Sequence, residues 1–338
     1  MPPSRAHSLA ERTEAAVGSH FAPSLLYAAA KMYYDEEATQ AEVAAKLGTS
    51  RATVSRLLSE ARRQGIVRIE VIAPSFETSA DLADQVADAL GLQHVYLSRP
   101  VPALANGRLN QDRLGSILAP AVGQALSAAE LRAGDVLLVS SGRTMYEVAR
   151  FDLPRLPGVV VAPTVGGADQ PEAWYQTNEI TRLIAAAIGG RATYLFAPAL
   201  PGPELYQTLL NDPAIQRVLH LWPGARAVLT GIGAPPTLRS DAPQFVATGL
   251  ASLLDAVGDV CSRFFDRAGQ PVEFPGSERM IAVSLSALAT IPVSIAVASG
   301  PDKVAPVVVG ARAGFFNQLV TDPLTAQQLL VTVGSHRR

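Results

Sequence analysis

From residue 134 onward, short apolar runs alternate with longer amphipathic stretches. The runs are rich in β-branched residues and occur at 136–140, 158–162, 193–197, 226–230, 281–285 and 293–298. Strands that alternate with helix-length stretches build βαβ units, and such units place their strands in a parallel sheet. The pattern therefore predicts an α/β domain. Residues 81–133 show helical spacing instead, interrupted by a loop that contains Pro100 and Gly107.

The composition limits the classes of protein to which the chain can belong. Its 338 residues suffice for two domains, and 48% apolar against 17% charged residues favour a substantial core. The single cysteine, Cys261, excludes an internal disulfide, and the five histidines lack metal-ligand spacing. Because Phe264 and Phe265 follow closely, we expect Cys261 in the core. We expect no metal, no cofactor and no catalytic residue.

Two segments bear on the location of the protein. Charged residues, including Arg5 and Glu11, interrupt residues 1–19 and make them a poor signal peptide, so we expect a cytoplasmic protein. The uncharged run 280–301 has the length of a membrane helix, but it is rich in serine and contains Pro292. Two buried strands joined through Pro292 explain this run better, and we expect no contact with a membrane.

Capping signals predict two short helices between residues 39 and 65. Thr39 and Glu42 form a capping box for a helix that runs to about Leu47. Ser50 is a suitable N-cap for a second helix, which runs to about Gln64. The turn between them is short, so the two helices are expected to cross closely.

The spacing across these helices is that of a helix-turn-helix. Counted from Gln40, a small residue, a glycine and two branched residues stand at the positions that the motif requires: Ala44, Gly48, Val54 and Leu57. The residues expected to face inward are Val43, Leu47, Val54, Leu57, Leu58 and Ala61. Those expected to face outward, at the N-terminal half of the second helix, are Arg51, Ala52, Thr53, Ser55 and Arg56. In this motif the outward positions enter the major groove of DNA.

Charge supports double-stranded operator DNA as a partner. Residues 46–68 contain six basic residues and one acid, a net charge of +5 within a chain whose net charge is −2. A basic island in an otherwise acidic protein is typical of phosphate binding. The candidate DNA-binding residues are Thr39, Gln40, Thr49, Ser50, Arg51, Thr53, Ser55 and Arg56. The alternative for the whole motif is a helical hairpin that serves only for packing or protein contact. The alternative for Arg62, Arg63 and Arg68 is that they contact phosphates or face solvent and do not read bases.

Several predicted strands end in small, glycine-rich segments, at 139–144, 165–167, 231–233 and 299–300. Ligands of open parallel sheets bind beyond the carboxyl ends of the strands, where glycine allows close approach and helix N-termini bind anions. Lys303 can pair with a phosphate or a sugar hydroxyl, and Asp259 can accept a sugar hydroxyl. The alternatives are that the glycines only make turns, that Lys303 is a solvated turn residue, and that Asp259 caps a turn.

The chain resembles the sorbitol-operon-regulator (SorC) family of bacterial transcription factors from about residue 21 onward. The residues that carry the resemblance include Tyr33-Tyr34, Thr39-Gln40, Leu47-Gly48, Ser50-Arg51, Val54 to Leu58, Gly142 to Thr144, Val165 to Gly167, Gly231 to Gly233, Ala256 to Asp259, Phe264 to Asp266, Lys303 and Thr321-Asp322. Ser141, Ser299 and Pro323 depart from the family pattern.

The resemblance implies a helix-turn-helix domain followed by a Rossmann-like, doubly wound domain that binds a sugar, polyol or sugar phosphate. It further implies a dimer of dimers on operator DNA. The expected division is an extension at 1–20, a DNA-binding domain at 21–73 and an effector and oligomerisation domain at 74–338. The candidate effector-binding residues are Ser141, Gly142, Arg143, Thr144, Gly166, Gly167, Gln176, Gly231, Asp259 and Lys303. The alternative function is a sugar-phosphate isomerase or deaminase with an accessory helix-turn-helix.

Overall fold

A computed structural model describes residues 21–36, 38–67, 79–102, 109–239 and 250–335. The chain divides into two compact units between residues 74 and 75. The extension at 1–20, Arg68, the expected boundary at 73 and 74, and part of the expected loop at 100–107 lie outside the described residues. No helix in the described ranges is long and apolar enough to cross a membrane.

The N-terminal unit contains helices α1 (Pro23–Tyr34), α2 (Gln40–Lys46) and α3 (Arg51–Arg63). Its core joins all three helices, through Leu26 of α1, Val43 of α2 and Leu57 of α3, each with 0% exposure. The capping box at Thr39 and the N-cap at Ser50 are both present. The expected inward face is buried except for Leu47, which is only half-buried because it follows the last turn of α2.

The C-terminal unit is built on a parallel sheet. Its strands are β1 (His94–Leu97), β2 (Val136–Val139), β3 (Val160–Pro163), β4 (Arg191–Ala192), β5 (Ala227–Gly233), β8 (Val293–Val297) and β9 (Gln318–Thr321), in the spatial order β1-β9-β8-β5-β2-β3-β4. Every pairing along this order is parallel. A small antiparallel pair, β6 (Gly258–Val260) and β7 (Arg263–Phe265), extends from the end of β5.

Helices connect the strands and cover the sheet. They are α4 (Ser79–Leu90), α5 (Gln111–Ala128), α6 (Arg143–Ala149), α7 (Thr177–Ile188), α8 (Pro203–Asn211), α9 (Pro213–Leu219), α10 (Leu285–Leu288), α11 (Val304–Arg312) and α12 (Pro323–Ser335). Successive residues of β2 point to opposite faces, as strand geometry requires. Leu138 belongs to one large core cluster, with residues of α4, α11 and α12, and Leu137 and Val139 belong to the other, with residues of α5, α6 and α7. The sheet is therefore covered by helices on both sides.

Two of the expected strands are wrong. Residues 193–197 form no strand. The Thr193 amide still donates to the Val161 carbonyl of β3 at 2.8 Å. At Leu195 the side chain of Asn178 takes the place of a neighbouring strand: its amide oxygen accepts from the Leu195 amide at 2.9 Å, and its amide group donates to the Leu195 carbonyl at 3.2 Å. Residues 281–285 make only an isolated bridge between Val165 and Ala282. Ser284 then caps α10, its hydroxyl accepting from the Ala287 amide at 3.1 Å.

The run 280–301 therefore contains one strand, β8, and not the two that were expected. Conversely, β1 lies within 81–133, where the sequence indicated only helices. The side chains of β1 are exposed or half-buried because it forms the edge of the sheet, so it lacks the continuous apolar run of an inner strand.

Candidate DNA-binding and effector-binding sites

The N-caps fix the start of both helices of the helix-turn-helix. The Thr39 hydroxyl accepts from the Glu42 amide at 3.3 Å, and the Glu42 carboxylate accepts from the Thr39 amide at 2.8 Å. These bonds lower the pKa of Glu42, the backbone bond from Thr39 contributing most. The Ser50 hydroxyl accepts from the Thr53 amide at 3.1 Å. Three of the candidate DNA-binding residues, Thr39, Ser50 and Thr53, thus take part in the caps themselves.

The outer face of α3 carries several exposed cations. Arg51, Ser55 and Arg56 are exposed, whereas Val54 and Leu57 between and beside them are buried. Arg63, at the other end of α3, pairs with Glu60, with 2.8 Å between its Nε and a carboxylate oxygen. The exposed charge at the N-terminal half of α3 is therefore cationic, and at its C-terminal end it is partly neutralised.

The remaining candidates of the motif precede α3 along the chain. Gln40 begins α2 and Thr49 lies in the turn, and both are half-buried. The carbonyl of Ala44 accepts from the Thr49 amide at 2.9 Å. The motif thus presents a short turn, followed by the start of α3.

The strand order defines a switch point in the C-terminal unit. From β2 the chain continues to β3 and β4 on one side, and it returns on the other side of β2 through β5 and β8. At the carboxyl ends of β2 and β5, the Ser140 hydroxyl accepts from the Gly231 amide at 3.0 Å. Such a point in a doubly wound sheet opens a crevice that binds ligands. The candidate residues Ser141, Gly142, Arg143, Thr144 and Gly231 all lie at it.

The loop after β2 contacts the short 3-10 helix Ala173–Tyr175. The Gly142 amide donates to the carbonyl of Trp174 at 2.8 Å, and the guanidinium of Arg143 lies over the indole ring, 4.0 Å from its centroid. The indole N–H is buried and has no hydrogen-bond acceptor among the described residues. Trp174 therefore orients Arg143, a role that the sequence reasoning missed.

Asp259 is paired with a residue that the sequence did not indicate. Its carboxylate forms a short ion pair with Arg239 and accepts from the Ser262 amide at 3.1 Å. Arg239 also donates through Nε to the carbonyl of Ala234 at 2.8 Å. Both side chains are largely buried, at 12% exposure for Asp259 and 18% for Arg239. Asp259 lies opposite Gly233 in the pairing of β6 with β5, which places this ion pair beyond the end of β5.

The backbone amides of Gly166 and Gly167 are used in hydrogen bonds within the chain. The Gly166 amide donates to the Ile281 carbonyl at 2.9 Å, and the Gly167 amide donates to the Ala197 carbonyl at 2.8 Å. A Cβ at Gly166 would lie 2.6 Å from the Ala197 carbonyl oxygen. Neither amide is thus left to bind a ligand. Gln176 is exposed, and its side chain donates to the carbonyl of Gln170 at 2.5 Å.

Lys303 stands at the end of the 3-10 helix Pro301–Lys303, which follows β8. It is half-buried, and α11 continues from it. Pro306 of α11 packs closely on Gly258, the residue before Asp259. The structure thus brings the Lys303 turn and the Asp259 pair to neighbouring strand ends.

Cys261 lies in the core, as expected, with 5% exposure. Burial raises the pKa of its thiol to about 11. At neutral pH the thiol is therefore protonated, which argues against a nucleophile.

Two family models match the chain, one in each of its two units. A family model described as “Putative sugar-binding domain” matches residues 74–331, and one for region 4 of sigma-70 matches residues 31–64. The chain belongs to the sugar-binding-domain family of SorC-type transcriptional regulators. The family resemblance and the α/β fold with an N-terminal helix-turn-helix are thereby confirmed.

Relatives in this SorC-type family match over almost their whole length. The sorbitol operon regulator of Klebsiella pneumoniae is 29% identical over 316 residues, which cover 90% of this chain and 97% of the relative. The deoxyribonucleoside regulator of Bacillus subtilis is 31% identical, over 89% of this chain and 96% of the relative. The crystal structure of full-length SorC from Klebsiella pneumoniae matches with a TM-score of 0.63 and 27% identity, covering 91% of this chain and 98% of that one.

Proposed function

We propose that this SorC-type protein is a transcriptional regulator that binds operator DNA through α3 and responds to a carbohydrate bound at the switch point. The observation that carries the proposal is the cationic, exposed N-terminal half of α3, held on a buried inner face by two intact N-caps. The curated relatives described above are named as regulators rather than enzymes, which supports the same function.

In this proposal α3 is the recognition helix. Arg51, Ser55 and Arg56 face the bases of the major groove, where arginine can bind a guanine edge through two hydrogen bonds. The capping residues Thr39 and Ser50, with Gln40, Thr49 and Thr53, lie close to the phosphates or to base edges. The DNA-binding unit comprises residues 21–73, and residues 74–338 form the effector and oligomerisation unit.

The effector is a sugar, a polyol or a sugar phosphate. Arg143 and Lys303 are cations suited to a phosphate, and Ser141, Thr144 and Asp259 are suited to hydroxyl groups. Because Arg239 already pairs with Asp259, the effector either binds the pair as a unit or displaces Arg239 from the carboxylate. The carboxylate is committed to that ion pair and to Ser262, which makes it a poor general base and disfavours the isomerase or deaminase alternative.

We further propose a cytoplasmic dimer of dimers. Two-fold assemblies place recognition helices in successive major grooves, about 34 Å apart along the DNA. An effector that binds two arrangements of the effector units with different affinity shifts the spacing of the DNA-binding units, and without such a difference it shifts nothing.

The test is the binding of the full chain to DNA from upstream of its own gene and the neighbouring operon, followed by fluorescence anisotropy at two salt concentrations. Each titration is repeated with pentose and hexose phosphates, free sugars and polyols. We expect preference for one fragment, a steep salt dependence of about −0.9 in log–log slope per phosphate contacted, and a response to one compound. Equal affinity for every fragment and for random DNA would refute the proposed function.

A further inference from the structure

Asp322 is a buried carboxylate at the end of β9, with 1% exposure. One of its oxygens accepts from the Ser299 hydroxyl at 2.6 Å and, in a short bond, from the Thr325 hydroxyl. The other oxygen accepts from the backbone amides of Leu324 and Thr325 at 3.0 and 3.2 Å. A buried carboxylate is stable only when its lone pairs are satisfied in this way, so the four donors are held in place around it.

A second contact links this carboxylate to the Lys303 turn. The Gly300 amide donates to the Thr325 hydroxyl at 2.8 Å, and the same hydroxyl donates to Asp322. Gly300 has φ of +111°, a conformation that favours glycine, and the 3-10 helix Pro301–Lys303 begins directly after it. We call Ser299, Gly300, Asp322 and Thr325 the connector, because they join the ends of β8 and β9 to the first turn of α12.

Helix α12 leads from the connector to the first helix of the C-terminal unit. Ala326, Leu329 and Val333 of α12 belong to the same buried cluster as Leu82, Val86 and Leu90 of α4, and the two helices are in contact. Helix α4 is the first described helix after the N-terminal unit along the chain. A movement of the Lys303 turn that shifts the Gly300 amide therefore acts on Thr325, in the first turn of α12, and through α12 on the packing against α4.

We propose that Asp322 and Thr325 are positioning residues that tie the Lys303 turn to α12, and that α12 passes occupancy of this turn to α4. The proposal deepens the proposed function and rests on it in one respect, namely that Lys303 belongs to the effector site. The connector and the packing of α12 on α4 are present in the chain without ligand.

Hydrogen–deuterium exchange of the full-length chain tests this tie. Thr325→Val keeps the shape of the side chain but removes both the acceptor of the Gly300 amide and the donor to Asp322. The matched control is Thr332→Val on the same helix, seven residues beyond Thr325 and outside the connector, whose hydroxyl donates to the Gln328 carbonyl at 2.9 Å. We expect Thr325→Val to speed exchange about tenfold in peptides covering 299–303 and also in those covering 79–90, with the control matching wild type.

Faster exchange at 299–303 alone, with 79–90 unchanged, would overturn the proposal. If Thr325→Val unfolds the unit, Ser299→Ala replaces it, because this change removes one donor to Asp322 from the side of the turn only. Faster exchange of Ser299→Ala in both peptides would then support the proposal, and faster exchange at 299–303 alone would overturn it. These measurements need neither DNA nor effector, so a chain that prefers no operator would refute the proposed function while leaving the exchange result to stand by itself.

Inorganic phosphate serves as the minimal anionic probe of the ligand-dependent step. In wild type, phosphate that slows exchange at 299–303 should change exchange at 79–90 as well, and in Thr325→Val it should change 299–303 only. A change at 79–90 that persists in Thr325→Val would overturn the role of the connector. If phosphate leaves exchange at 299–303 of the wild type unchanged, the Lys303 turn does not bind the anion, and the proposed transmission of its occupancy to α4 is overturned.

Discussion

Three arginines of α3 allow a test of DNA recognition in which the change of charge is constant. Arg51→Ala, Arg56→Ala and Arg63→Ala each remove one positive charge from the same helix. Arg51 and Arg56 are exposed at its N-terminal half, whereas Arg63 is paired with Glu60. At 1.5 Å per residue, the backbone positions of Arg51 and Arg63 are about 18 Å apart along the helix, beyond the screening length of about 8 Å at physiological salt.

The magnitudes follow from these positions. An arginine that binds a base edge contributes about 1–3 kcal/mol, so Arg51→Ala or Arg56→Ala should weaken operator binding roughly 5- to 150-fold. Binding to random DNA should change far less, because base contacts distinguish sequences. Arg63→Ala should change operator affinity no more than about twofold, because its charge is already offset by Glu60 and an exposed ion pair contributes little.

Anisotropy titrations with operator and random fragments measure all three variants, with circular dichroism to show that α3 is intact. Equal losses in the three variants would mean that net charge alone governs binding, and would refute base contacts by Arg51 and Arg56. Base contacts would also be refuted if Arg51→Ala and Arg56→Ala weakened binding to random DNA as much as binding to the operator. In that case both side chains contact phosphates, and the log–log salt slope should fall by about 0.9 for each.

Three further predictions concern the C-terminal unit. Asp259→Asn leaves the largely buried guanidinium of Arg239 without its ion pair and should lower the free energy of unfolding by about 2–3 kcal/mol, measured by urea denaturation, and abolish the effector response. Gly166→Ala places a Cβ 2.6 Å from the Ala197 carbonyl oxygen and should lower the free energy of unfolding by about 1–3 kcal/mol. A Tm equal to that of the wild type would contradict this. Burial raises the pKa of the Cys261 thiol to about 11, whereas in the unfolded chain the thiol ionises near pH 8.5. The contribution of this group to the free energy of unfolding is therefore intact below about pH 8 and is lost as the pH rises towards 11. Cys261→Ala should therefore lose less stability than wild type between about pH 7 and pH 10, and a maleimide should label native Cys261 only as fast as the unit opens.

The N-terminal unit is predictable from sequence because its determinants are local. A capping box involves residues three positions apart, and the bonds between Thr39 and Glu42 are those that the pattern requires. The inner face of α3 follows from helical periodicity, which the buried positions Val54 and Leu57 reproduce. The exception, Leu47, lies just past the end of its helix, where periodicity no longer decides which way a side chain points.

The sheet is predictable only where strands are buried on both faces. The inner strand β2 is a continuous apolar run, as is the first half of β5, since helices cover the sheet on either side. The edge strand β1 has no such run. The apolar run 193–197 forms no strand, because Asn178, 17 residues before Leu195, bonds both backbone groups of Leu195. In 193–197 the apolar character did not indicate burial either, because Phe196 is 78% exposed and Tyr194 is 38% exposed. The sequence also does not show which group satisfies the backbone of a buried residue such as Leu195.

The same limit applies to the candidate effector site, and there it alters the chemistry. Sequence reasoning placed Arg143 and Asp259 at strand ends from their neighbours along the chain. Their contacts come from Trp174, 31 positions after Arg143, and from Arg239, 20 positions before Asp259. Arg239 changes the charge at the site: Asp259 alone would repel a phosphate, whereas Asp259 paired with Arg239 presents almost no net charge to it. If the effector binds here, as we propose, a ligand that breaks this pair must replace the lost interaction at both groups. We therefore expect the pair to favour an effector that combines an anionic group with hydroxyls over a neutral polyol.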